Sequence, residues 1–189
     1  MHRDPLLQAI RIYATRFPEE AETTERFARF VRDHEDCFER SLTIGHITGA
    51  SWITNAAGDE VLLTHHAKLD IWIQPGGHAD GDPDVLAVAR KEAEEETGLD
   101  PLELVVPEIF DLDIHGIPAR KSDPAHEHFD VRFAFRHSGD GRFTVTEESH
   151  DLAWVPLAEL NRYTDETSIH RMARKWKRYQ ETSEASGSR

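Results

Sequence analysis

Glu92, Glu95 and Glu96 are the residues whose types and spacing point most directly to chemistry. On a helix turning roughly 100° per residue they fall within about 100° of one another, so all three carboxylates share one face. Like charges at these spacings destabilise an isolated helix by roughly a few tenths of a kcal/mol per pair. A hard divalent cation taking several carboxylate oxygens offsets that cost, and Mg²⁺ suits a site that also draws ligands from substrate phosphates. In a chain this rich in glutamate, an acidic helix face is ordinarily just solvated. This one is set apart by its place after the turn Gln74-Pro75-Gly76-Gly77, with a helix N-terminus whose free backbone N–H groups can meet phosphates. The net charge of −14 repels phosphates at long range, so a site that handles them here needs cations.

The chain also carries 12 histidines, several of them near the same segment. His78 follows Gly77, the pair His65-His66 ends a strand-like run, and His115, His126 and His128 lie further on. In an extended segment His126 and His128 point the same way. With Glu127 or Asp130 beside them they form a candidate site for Zn²⁺ or Mn²⁺. The alternatives are direct hydrogen bonding to a substrate or a role as polar loop residues.

The stretch from Gly77 to Leu99 resembles the Nudix box, usually written GX5EX7REUXEEXGU. Gly77, Glu92, Glu95, Glu96, Gly98 and Leu99 fall on its fixed positions, and Ala93 on its apolar one. There are two departures: Lys91 stands where the box has arginine, and Pro83 where it has its first glutamate. A lysine keeps the charge but loses the planar fork, although Lys91 retains Glu95 as an i+4 partner. Asp82 and Asp84 flank the position of the missing glutamate.

The resemblance implies a Nudix-type α/β/α sandwich with a mixed β-sheet. It also implies Mg²⁺-dependent hydrolysis, with Mn²⁺ as a possible substitute, of a pyrophosphate bond in a nucleoside diphosphate linked to another moiety. Nucleotide sugars, dinucleotides and modified nucleotides are such substrates. Glu92, Glu95 and Glu96 become the metal ligands and, with Lys91, the catalytic residues. Gly76, Gly77, His78, His126 and His128 become substrate-facing. Water attacks phosphorus while a carboxylate takes its proton, and Glu147 and Glu148 are candidates for that base beside the box glutamates. The two departures leave open a second reading, a Nudix-fold sensor that binds a nucleotide without cleaving it. A third, isopentenyl-diphosphate isomerase, shares the fold and uses a histidine in a comparable place, but needs a nearby cysteine. The sole cysteine, Cys37, sits far away in sequence.

These groups need a scaffold. Asp82 reads as an N-cap with Pro83 at the first helical position, and Gly98 closes a helix ending near Thr97. Strand patterns occupy 42–54, 60–65, 71–73, 102–111, 129–137 and 152–155, with a turn at 55–59 and a short helix near 157–160. Alternating strands and helices in this order imply an α/β domain with a mixed sheet. The expected organisation is a helical extension over 1–40, a core domain over 41–162, a C-terminal helix over 163–181 and a flexible tail over 182–189. Leu6, Leu7, Ile10, Ala14 and Phe17, then Phe27, Phe30, Val31, His34 and Phe38, recur at helical spacing in the extension. Such faces must pack on the main domain or on a partner subunit, so a homodimer is one expectation.

At 189 residues, with 38% hydrophobic and 31% charged residues, the composition is that of a soluble globular chain. The acidic charge excludes a general nucleic-acid binder. No apolar run approaches the roughly 18 residues of a membrane span, and the N-terminal residues lack a signal-peptide core. A cytoplasmic protein with a small nucleotide-type substrate is expected. The cations Arg171, Arg174, Lys175, Lys177 and Arg178 suit a C-terminal helix lying on an acidic body, or a phosphate-rich partner. Trp72 and Trp154, on strand patterns, fit the core or a base-stacking role.

Overall fold

The computed structural model describes residues 2–67, 69–120, 124–146 and 149–187. Helix α1 (Asp4–Arg16) buries Leu6, Ile10 and Tyr13, one residue per turn, and the 3-10 turn Pro18–Glu20 leads into α2 (Ala21–Asp33), which buries Thr24, Phe27, Phe30 and Val31. Phe27 meets Phe129 edge-on at 5.4 Å between centroids and Phe30 stacks on the same ring at 3.7 Å. The apolar stripe of the extension is therefore covered by the chain's own sheet and does not itself call for a partner subunit. Truncating either phenylalanine to alanine costs about 3–5 kcal/mol in such a core. Helix α2 ends earlier than the apolar spacing predicts. His34 turns extended, and Cys37 and Phe38 enter the core from a loop whose carbonyls accept the backbone N–H groups of Ile47 and Gly81.

Strand β1 (Gly45–Thr54) is buried along its whole length. It runs parallel to β7 (His126–His137) in the register His46↔His128 and Thr48↔Asp130. On the far side of β7 lie β6 (Asp111–Ile117) and the short β5 (Leu102–Leu104), both antiparallel. On the other side of β1 come β2 (Glu60–His66), β3 (Ile71–Ile73) and β8 (Ser149–Pro156). This mixed, eight-stranded sheet carries α1, α2 and α3 (Val85–Thr97) against one hydrophobic cluster. Helix α4 (Thr167–Gly187) and the 3-10 helix Leu157–Arg162 pack against a second cluster built on Trp52, Phe110 and Trp176. The α/β fold with a mixed sheet and an N-terminal pair of helices matches the expectation.

Three further elements differ from the sequence reading. The run 102–111 is two strands: the Val105 N–H still reaches the Ala134 carbonyl of β7, the ladder breaks at Val106 and Pro107, which has no N–H to donate, and pairing resumes at Phe110 and Asp111. Gly76–His78, read as a turn, is strand β4, antiparallel to β1 in the register Thr48↔His78 and Ala50↔Gly76. The approach is so close that a Cβ on Gly76 would stand 2.5 Å from the Ala50 Cβ. Helix α4 continues to Gly187, so residues 182–187 extend the helix where a tail was expected. Among the described residues no helix is long and apolar enough to cross a membrane.

Candidate active site

Helix α3 begins two residues later than predicted. Asp82 accepts a hydrogen bond from the Asp84 N–H at 2.9 Å, and Asp84 is the N-cap, accepting from Ala87 N–H at 3.1 Å. Pro83 thus lies in the approach rather than inside the helix. Gly98, in the left-handed region at φ 70°, closes the helix as expected. The helix buries Val85, Val88, Ala89, Ala93 and Thr97 against β1. Gly49 allows this approach, since a Cβ there would stand 2.9 Å from the Val85 carbonyl oxygen, and Ser51 Oγ donates to the Ala89 carbonyl at 2.8 Å.

This packing aims the second half of α3 at a cleft of about 400 Å³, within the range of small-molecule sites. Glu92 and Glu96 line it, as do Gly76, Gly77, His78, His126 and His128. Glu92 lies directly over Gly77, where a Cβ would come within 2.2 Å of its Oε2, so the glycine is the space the carboxylate occupies. Glu95 sits further out, 60% exposed, with Lys91 Nζ 3.5 Å from its Oε2 and 3.6 Å from Glu92 Oε1. The pairing of Lys91 with Glu95 is the expected one, and the two carboxylates raise the lysine pKa. The N-terminus of α3 does not line the cleft. Asp84 caps it, and the cleft's guanidinium groups come instead from Arg40, held in a two-point pair with Asp80, and from Arg120. Neither arginine stands out in the sequence, because both lie in loops with no motif around them.

Facing the glutamates is a row of histidines carried by the sheet. His46 on β1, His128 on β7 and His115 on β6 are direct cross-strand neighbours, while His78 sits opposite Thr48 and His126 one strand repeat along β7. The rings of His46, His78 and His128 have centroids about 4.9–5.0 Å apart, and His126 Nε2 lies 3.3 Å from His128 Nε2. Burial, reinforced by the neighbouring rings, pushes His46 down to about 4 and His128 down to about 2, so both are neutral at neutral pH. His46 is the residue that sequence reasoning missed. Its role depends on pairing across 82 residues of chain, visible only once the β1–β7 register is known.

The acids beside these histidines are committed elsewhere. Glu127 alternates to the opposite face and pairs with Arg26 at 2.5 Å. Asp130 accepts from Thr48 Oγ1 at 2.9 Å, Gln74 Nε2 at 3.2 Å and Arg132 Nε at 2.7 Å. The expected grouping of His126 and His128 with Glu127 or Asp130 is therefore replaced by one with His46 and His78. His66 also lines the cleft, whereas His65 pairs with Asp70 at 2.9 Å and stacks on Trp72. Trp154 packs at the sheet's far end with its indole N–H on the Gly141 carbonyl. Glu147 and Glu148 lie outside the described residues.

Behind Asp130 runs a buried ion network. Arg132, 2% exposed, also reaches Asp111 at 3.2 Å and Asp113 at 3.3 Å. Arg171 and Lys175 of α4 bind Asp111 at 2.7 and 2.6 Å, and Lys175 continues to Glu20 at 2.7 Å. With Arg178, which pairs with Glu19 at 3.6 Å, three of the α4 cations are thus matched by the chain's own acids, as the acidic-body reading expects. The dipole part of that reading fails, because the helix runs on to Gly187 and its last turn carries no basic residue. Burial alone would raise Asp113, but the hydrogen bond with His115 and the charges of Arg132 and Arg171 outweigh it and hold the carboxyl well below the usual range.

The NUDIX domain model matches residues 46–176. No curated protein matches the chain by sequence. Similar solved structures include a C. elegans Ap4A hydrolase binary complex, at 16% identity and TM-score 0.54, covering 72% of this chain and 98% of that one. A MutT protein from Methanosarcina mazei Go1 shows 17% identity and TM-score 0.54 over 74% of this chain and 97% of its own. The NUDIX domain of Shewanella oneidensis NrtR, complexed with ADP ribose, shows 18% identity and TM-score 0.50 over 78% and 96%. The fold is that of these proteins, and the matched region contains both walls of the cleft: the chain belongs to the Nudix domain family.

Proposed function

We propose that this Nudix pyrophosphohydrolase cleaves the pyrophosphate bond of a nucleoside diphosphate linked to another moiety, with Mg²⁺ held by Glu92, Glu95 and Glu96. The observation that carries the reading is the seat of Glu92 on Gly77, with Glu96 beside it on the cleft. Oxygen donors of this kind fit Mg²⁺, with Mn²⁺ as a substitute, and leave room for phosphate oxygens as further ligands. The cation, when bound, neutralises phosphate charge and makes water more acidic. Lys91, touching both Glu92 and Glu95, restrains their carboxylates. Arg40, Arg120 and the half-buried imidazoles of His78 and His126 face the same space and are placed to orient a phosphate-linked substrate. The attacking water gives its proton to a carboxylate of the cleft as its oxygen bonds to phosphorus and the bridging oxygen departs. The similarity to an Ap4A hydrolase and to a domain complexed with ADP ribose supports a substrate with linked phosphates.

The test is turnover of nucleotide sugars, dinucleoside polyphosphates, ADP-ribose, NADH and CoA in Mg²⁺ or Mn²⁺, by phosphate or nucleotide release. Cleavage of one class, abolished by chelation and by Glu96→Gln, is expected. Tight binding of one class with no turnover of any would replace the hydrolase with a sensor.

A further inference from the structure

Hydrolysis uses the carboxylate wall of the cleft and asks of the opposite histidines only that they touch substrate. Their geometry goes further. His46, His78 and His128, each from a different strand, offer ring nitrogens that all lie within 4.8 Å of one another. Nitrogens bound at about 2.0–2.1 Å to a tetrahedral Zn²⁺ stand roughly 3.3–3.4 Å apart, so small ring rotations close the set onto one ion.

His46 adds an independent observation. It is 3% exposed, and neither ring nitrogen makes a hydrogen bond of good geometry, although the Leu42 carbonyl lies near enough to favour the charged ring slightly. Native proteins rarely leave a buried imidazole so uncompensated. A cation satisfies the ring where no protein group does.

We infer that His46, His78 and His128 form a second cation site in the cleft, one that takes Zn²⁺ or a related d-block divalent ion and leaves a further coordination position facing the substrate space. The donor set decides the metal. All three ligands are nitrogen, with no carboxylate among them, and imidazole suits Zn²⁺ while Mg²⁺ demands oxygen. Burial keeps His46 and His128 deprotonated at neutral pH, the state a metal requires. His126, 3.3 Å from His128, stands at the edge of the set. The site does not depend on the hydrolase reading, since a sensor with the same cleft would hold the same ion.

The test uses the full chain, stripped with chelator, dialysed into excess Mg²⁺ and titrated with Zn²⁺ alone, with bound metal measured by elemental analysis. A single Zn²⁺ per chain held against Mg²⁺ is expected. His78→Asn and His128→Asn should weaken binding by more than the roughly 10–100-fold that losing an outer partner costs. Glu92→Gln with Glu96→Gln should leave it unchanged. Co²⁺ in the unmutated protein should give the intense visible absorption of a low-coordinate nitrogen site, a readout that needs no variant to fold. Absence of retained Zn²⁺, a weak octahedral Co²⁺ spectrum, or binding lost in the glutamate variant and intact in the histidine variants would each overturn the inference.

Discussion

One wall of the cleft is a single helix, and the other is assembled from three strands. On α3, Glu92 and Glu96 are neighbours because a helix turns, and the Glu92 carboxylate is seated in the space left by Gly77 and paired with Lys91. On the sheet, His46, His78 and His128 are neighbours because β1, β4 and β7 pair in one register, and burial holds the His46 and His128 rings neutral. Behind the sheet wall the charges are already matched, from Asp130 through Arg132 and Asp111 to Arg171 and Lys175. The helix wall therefore presents charge that a cation must neutralise, while the sheet wall presents neutral donors on a rigid backing.

The largest effect should come from the helix wall. Glu96→Gln keeps the shape and removes the charge, and is expected to lower kcat by roughly 10²–10⁴ with an unchanged circular dichroism spectrum. His126→Gln on the other wall should act mainly on KM. If the glutamate variant kept near-native kcat, the division of labour between the walls would fail.

Those two walls also differ in how far the chain alone reveals them. The glutamates, the C′ role of Gly98 and most strands follow from local spacing, which a linear reading captures. The start of α3 did not, because Asp82 and Asp84 both qualify as caps and only the Asx turn between them decides for Asp84. His46 was invisible for a stronger reason. Nothing near it in sequence signals chemistry, and its partners arrive from β4 and β7. Strand β4 was hidden by its glycines, which resemble a turn until Ala50 is brought against Gly76.

The backing of the sheet wall should show next, as stability. Arg132→Met leaves Asp130 without a cation in the interior and takes one of the cations from Asp111 and Asp113, and breaking such a buried set costs about 3–5 kcal/mol, read from the urea midpoint. The two adjacent glycines separate the walls again. In Gly77→Ala the new methyl meets the movable end of Glu92, so activity should fall by roughly 10–100-fold with little change in Tm. In Gly76→Ala it meets Ala50 and the Gly49 backbone, so Tm should fall first. Equal Tm losses in both would remove the distinction.

The network also fixes a pH dependence. Asp113 has a folded pKa below its ordinary 3.8, so its contribution to stability is complete above that value and is lost as pH falls toward the folded one. Asp113→Asn should therefore be less stable than the parent at neutral pH, and the two should converge as the solution is acidified below about 3.8. A gap that stays constant down to that range would mean the carboxylate charge is not what holds the network.

The smallest effect concerns Lys91, where the box expects arginine. Its ammonium is exposed and reaches both Glu92 and Glu95 at about 3.5 Å, as a point charge rather than a fork. Exposed pairs of this kind are weak and screened by salt, so Lys91→Ala should reduce activity only modestly, by about tenfold or less at low ionic strength, and by less still as salt rises. Lys91→Arg supplies the two-point geometry and should match or slightly exceed the parent. Because Glu92 is already seated by Gly77, the helix wall does not rest on this residue. A collapse of activity in Lys91→Ala, insensitive to salt, would instead make the lysine a direct contact of the substrate and move it from the edge of the cleft to its centre.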